Sequence, residues 1–232
     1  MTVNMVRSTD DLVKIGTMLV SVSDRSGLDS LVPGLLEVNP ELEIFATGGT
    51  FTTLNEVLGA EAKGRLALVS DYTGQPETQG GLVKTLDFKI YLGLLTERYN
   101  DAHQEDLART GAKPIDMVVA NLYPFTEAID GSSSTCETAR ANIDIGGPCM
   151  IRAAAKNYLR VAAVVNPADY PELLAAAQAG AGSLSLEQRF CLAQKAFVHT
   201  ANYERSIAGY LEKQDPAGID RLYDLVTAER RP

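Results

Sequence analysis

The chain has 232 residues, with 21 Lys and Arg against 30 Asp and Glu, a formal net charge of −9. That balance speaks against a general nucleic-acid or anionic-membrane binder, which needs an excess of basic residues. The 45% apolar content, with 19 Gly and 10 Pro, is that of an ordinary globular protein and excludes a disordered or collagen-like chain. No apolar run approaches the ~18 residues of a membrane helix. Acids in the N-terminal MTVNMVRSTDDLVK stand where a secretory signal would be apolar, so a cytoplasmic protein is expected. Three cysteines without a CxxC pair and two histidines without an HExxH context give no zinc or disulfide framework.

In chain order, residues 1–15 read as a polar tail or a short extra helix. Met18–Val22 is an apolar run of strand length, and Leu28–Val38 has apolar residues at helical spacing. Leu42–Ala46 reads as a second strand, 51–58 as a helix and Leu66–Val69 as a third strand. Ile115–Ala120, bounded by Pro114 and Pro124, is the clearest strand, and Val161–Val165 is another. Pro167 opens a helix to about Ala179. Ser185 caps a long helix to about Lys213, with Glu187 expected near its third position. A short helix is expected over 220–230. Short strands alternating with helices predict an α/β fold with a mostly parallel sheet flanked by helices, and a helical C-terminal region. The main domain is expected over 16–213, with 214–232 as a tail or short helix.

Ligands of open α/β sheets bind beyond the carboxyl ends of the strands. Two junctions there suit an anion. Ser21-Val-Ser-Asp-Arg-Ser-Gly27 brings Ser23, Asp24, Arg25 and Ser26 to a helix start, and Thr47-Gly48-Gly49-Thr50 lets backbone N–H groups approach a phosphate. Plain helix capping accounts for either loop as well. Neither matches GxxxxGK[ST] or GxGxxG, which disfavours an ATPase or a dinucleotide enzyme. Further along, Gly80–Lys89 carries Lys84 and Thr85, and Asn121-Leu-Tyr-Pro-Phe125 follows the clearest strand. Asn142–Asn157 places Asp144 before a Gly146-Gly147 turn, with Arg152 and Lys156 one helical turn apart. Lys84, Tyr123, Asp144 and Lys156 together suit proton transfer at a carbonyl or amide of a phosphorylated substrate. His199, in KAFVHTANY, reads as structural, and Cys149 lacks a histidine partner in its motif.

The strings SVSDRSGL, ATGGT, VSDYTG, GLVKTL, NLYPF, NIDIGGP, IRAAAKN and KAFVHTANY, in this order from about Leu19 to Tyr210, resemble the IMP cyclohydrolase domain of bifunctional purine biosynthesis proteins. The resemblance implies a methylglyoxal-synthase-like fold and ring closure of the formylated aminoimidazole carboxamide ribotide, FAICAR, to IMP with loss of water. It implies no cofactor. It implies Lys84, Tyr123, Asp144 and Lys156 as catalytic residues, Lys156 being the proton-transfer lysine. As substrate-binding residues it implies Ser23, Asp24, Arg25 and Ser26; Thr47, Gly48, Gly49 and Thr50; Leu82, Val83 and Thr85; Ala120 and Asn121; and Ile145, Gly146 and Gly147. A homodimer is expected, and a separate AICAR transformylase is a candidate partner, because the chain ends at Pro232, too soon to hold that domain.

The chain departs from the family's GRVKTLHPK and its following second histidine. Leu82 stands for the arginine, Asp87 for the first histidine, Phe88 for the proline and Tyr91 for the second histidine. An inward-pointing Asp87 would repel an anion. These changes keep open an alternative, a catalytically altered purine-nucleotide-binding module of the same fold. A methylglyoxal synthase is argued against by the lack of a suitable histidine near the phosphate loops.

Overall fold

The computed structural model describes residues 5–75, 84–130 and 135–226. Its centre is a five-stranded sheet made of β2 (Thr17–Val22), β3 (Glu43–Ala46), β4 (Leu66–Leu68), β5 (Met117–Asn121) and β6 (Ala162–Val164). The strand order is β4-β3-β2-β5-β6 and every pairing is parallel. A parallel sheet is covered on both faces, which is why these strands read as unbroken apolar runs. Alternate residues serve opposite layers. Met18, Val20, Ile44, Met117 and Val119 join α1 (Leu28–Val38), α2 (Gly48–Leu58) and α9 (Tyr170–Ala179) on one side. Leu19, Phe45, Val118, Ala120 and Ala163 join α4 (Phe88–Leu95), α8 (Gly146–Lys156) and α10 (Leu186–Leu211) on the other.

Shorter helices complete the chain: α3 (Val69–Thr73), α5 (Asp101–Thr110), α6 (Phe125–Ala128) and α7 (Cys136–Ala141). Neither α4 nor α5 was read in the sequence. Leu107 alone is buried in α5, so no apolar stripe announces it. Residues 167–179 split into a 3-10 turn, Pro167–Asp169, and α9. Ser185 does cap α10, but its capping-box partner is Gln188 rather than Glu187: the Gln188 N–H donates to the Ser185 hydroxyl, and the Gln188 side chain accepts from the Ser185 N–H. Past α10 the chain forms a 3-10 helix over Pro216–Leu222, earlier than the expected helix over 220–230, whose last residues lie outside the described ones.

The segment expected as a tail is tied to the body. Val13–Lys14 (β1) pairs antiparallel with Ser183–Leu184 (β7), and Val13 and Ile15 are buried. Arg189, only 1% exposed, holds this junction. Its guanidinium donates to the carbonyls of Asp10, Asp11, Tyr158, Leu159 and Leu184, using all five of its N–H groups. A second buried arginine, Arg160, pairs with Asp116 at 3.1 Å, and that carboxylate also accepts from the N–H groups of Gly16 and Thr17. Burial pushes the Asp116 carboxyl up against the opposing pull of Arg160.

Candidate functional site

Strand order reverses at β2, which has β3 on one side and β5 on the other. Such a switch point opens a crevice beyond the carboxyl ends of its strands. Asn121, the last residue of β5, reaches across to the loop after β2. Its Oδ1 accepts from the N–H groups of Ser23 and Asp24 at 2.7 and 2.8 Å, and its Nδ2 donates to the Asp24 carbonyl at 2.8 Å. The loop after β2 is thereby fixed from the neighbouring strand. Asp24 turns back on that loop, where the Ser26 hydroxyl and N–H hold its carboxyl below the usual range.

The loop after β3 starts α2 at Gly48 and Gly49, with no side-chain cap among the described residues and the positive end of the helix dipole at this end. Both glycines sit under cations. A Cβ on Gly49 would lie 2.6 Å from Arg25 Nη2, and one on Gly48 would lie 3.9 Å from Lys84 Nζ. The Thr47 hydroxyl donates to the Ser21 hydroxyl at 3.0 Å, tying the two loops. Thr50 is buried and ties the same loops from below, through its hydroxyl on the Val22 N–H and carbonyl.

A second helix start faces the first. In α8 the leading Gly146 and Gly147 are again glycines; a Cβ on Gly146 would meet the Thr85 hydroxyl at 2.6 Å. Asp144 precedes them, its Oδ1 accepting from the Gly147 N–H at 3.1 Å while its own N–H donates to the Tyr203 hydroxyl at 2.7 Å. The two starts enclose a cleft of about 440 Å³, reached by Lys84, Thr85, Asp144 and Ile145. Lys84 in the cleft with Arg25 beside it over Gly49, a carboxylate at the other end and two helix N-termini between them suit a phosphorylated ligand with a polar head. Among the described residues, no group of three or more His, Cys, Asp or Glu side chains is placed to hold a metal ion. No helix among them is long and apolar enough to cross a membrane.

Not every expected residue lines this cleft: Ser23, Asp24, Arg25, Ser26, Thr50 and Asn121 stand in or behind the loops beside it. Ala120 is buried within β5 and serves the core. Tyr123 is half exposed at the carboxyl edge and does not line the cleft. Lys156 is the last residue of α8, whose 11 residues put it about 15 Å from the Gly146 end, so within one chain it does not meet Asp144. Leu82 and Val83 lie outside the described residues.

The altered residues have their own roles. Asp87 caps α4, its Oδ1 accepting from the Lys89 N–H at 2.8 Å, and does not line the cleft, so the feared repulsion does not arise there. Tyr91 packs under α8, where burial and then the nearby Cys149 and Asp144 push its phenol up. The cleft is also lined by Ser21, Leu86, Asn142 and Ile143, none of them singled out as a site residue in the sequence. The signal was their position, at the head of SVSDRSG, beside KT and inside NIDIGG, rather than their chemistry.

Residues 27–149 match the family described as MGS-like domain, and residues 154–230 match AICARFT/IMPCHase bienzyme. The chain belongs to the MGS-like domain family. This MGS-like chain is 43% identical over 193 residues to the bifunctional purine biosynthesis protein PurH of Ruminiclostridium cellulolyticum. It is 44% identical over 196 residues to the protein of that name from Prochlorococcus marinus. These matches take in 83% and 84% of the chain and 36% of each relative, so the chain spans about a third of their length. Among solved structures it is similar to ForH, with a TM-score of 0.68 and 31% identity over 83% of this chain and 96% of that one.

Proposed function

We propose that this MGS-like chain is an IMP cyclohydrolase that closes the second purine ring of FAICAR. The observation that carries the reading is the cleft itself. Arg25 and Lys84 lie over the start of α2, and Asp144 stands at the start of α8 across the opening. The likeness to PurH and the AICARFT/IMPCHase match over 154–230 support the same assignment.

The substrate's phosphate is held by the N–H groups of Gly48 and Gly49 with Arg25. The carboxamide nitrogen of FAICAR attacks its own formyl carbon. That N–C bond forms as the formyl oxygen takes the electron pair, and the nitrogen gives up a proton. The oxygen then leaves as water, carrying that proton and the one from the formamide nitrogen, as the ring C=N bond forms. Asp144 orients the carboxamide and accepts its proton. Lys84 and the α8 N–H groups steady the developing oxyanion, and the Tyr123 hydroxyl assists from the rim. Nucleophile and electrophile belong to one molecule, so much of the entropic cost is already met. No step is assigned to Lys156, which ends α8 about 15 Å from Gly146. Turnover of FAICAR to IMP tests the reading; tight FAICAR or IMP binding without turnover would instead identify a nucleotide-binding module.

A further inference from the structure

A second cavity, of about 230 Å³, lies between α9 and α10 and shares no residue with the cleft. Its floor is apolar. Leu173 of α9, Leu184 of β7 and Leu192 of α10 are core residues that line it, with Ala176 beside them. Its rim is polar. Lys195 of α10 reaches across to the start of α9, where its Nζ donates to Asp169 Oδ1 at 2.7 Å and bridges the two helices. Glu172 stands one turn further along α9, and Glu187 lies in the first turn of α10; both are exposed.

The charges do not balance. Asp169, Glu172 and Glu187 face one cation, Lys195, among the cavity's lining residues. Asp169 already engages that lysine, and among the described residues Glu172 and Glu187 are in no ion pair. Asp169 Oδ2 is buried and has no hydrogen-bond partner among the described residues, a state that a buried acceptor rarely keeps without a donor to come. An apolar floor under an excess of negative charge favours an apolar body with a cationic N–H donor, and turns away a carboxylate by like charge. A cavity of ~150 Å³ holds a benzene ring, so this one has room for a single ring and a short chain. We infer that the cavity between α9 and α10 binds a small monocationic amine carried on an apolar body of about one ring. The inference stands apart from the cyclohydrolase reading, since the two sites have no residue in common.

The probe is 2-phenylethylamine, and the reporter is the exposed Cys191 thiol, which lines the cavity. With ~10 mM amine present, iodoacetamide should alkylate Cys191 at least ~3-fold more slowly, as expected for a fragment of millimolar affinity. Cys136, on α7 and outside the cavity, should react at an unchanged rate in the same sample. Mass mapping of the peptides follows each cysteine separately. The same ring with a neutral head, 2-phenylethanol, or an anionic one, phenylacetate, should protect little. Glu172→Gln combined with Glu187→Gln keeps the shape of the rim and removes two charges. It should reduce the amine's protection to that of the alcohol, with unchanged far-ultraviolet dichroism. No protection of Cys191 in the parent overturns the site, because that thiol borders the space a ligand fills. Equal protection by the alcohol or the acid, or protection by the amine that survives both substitutions, overturns the cationic class of the ligand.

Discussion

The Arg25 guanidinium occupies the space beside Gly49, 2.6 Å from where a Cβ would stand. Gly49→Ala therefore displaces Arg25 without touching its charge, while the helix gains up to ~1 kcal/mol from the better helix former. The expected outcome is a protein at least as stable, with affinity for a nucleoside monophosphate weakened roughly tenfold, the worth of one charge-assisted hydrogen bond. Calorimetric titration checks this. Arg25→Ala should weaken binding by a similar factor, and the double variant by little more than either.

Asp87 caps α4 and stays out of the cleft. Asp87→Ala should lower unfolding stability by about 1 kcal/mol, the ordinary worth of an N-cap. It should leave nucleotide affinity nearly unchanged. A large gain in affinity would show that the carboxylate does repel the ligand.

The Arg189 side chain satisfies five backbone carbonyls from three separate segments. Arg189→Met keeps the bulk and strands those carbonyls, so stability should fall by on the order of 3 kcal/mol or more. Urea denaturation measures it. Arg189→Lys should rescue only part of the loss, because an ammonium has three donors and no fork.

His199 on α10 has a buried Nε2 with no hydrogen-bond partner among the described residues, and burial holds its pKa below the ordinary 6.5. The folded state thus disfavours the imidazolium. Stability from this group is fully present above pH 6.5 and is lost as pH falls through the lowered folded value. His199→Gln should flatten the decline below pH 6.5, seen as a smaller drop in Tm than the parent shows.

Much of this architecture was legible in the sequence because its strands are buried on both faces. Met18–Val22, Leu42–Ala46 and Ile115–Ala120 are apolar runs for that reason. The glycine pairs 48–49 and 146–147 marked the two helix starts that face each other across the cleft. What was not legible came from contacts distant in the chain. β1 is two residues long and is defined only by pairing with Ser183–Leu184. A polar helix such as α5 leaves no periodic trace. The sequence grouped Lys156 with Asp144 in one site, but the 12 positions between them, nearly all in α8, span roughly 18 Å within one chain. Thr50 and Ala120 lie within site motifs but turn inward to hold the loops and the core.

The most direct measurement is the conversion of FAICAR to IMP by the purified chain, followed alongside Asp144→Ala and Lys84→Ala. IMP should form with the parent and fall by at least ~100-fold in each variant, as expected for loss of a proton acceptor or an oxyanion donor. No IMP from a folded parent that binds FAICAR, or undiminished turnover in Asp144→Ala, would contradict the assignment of this cleft as a cyclohydrolase site.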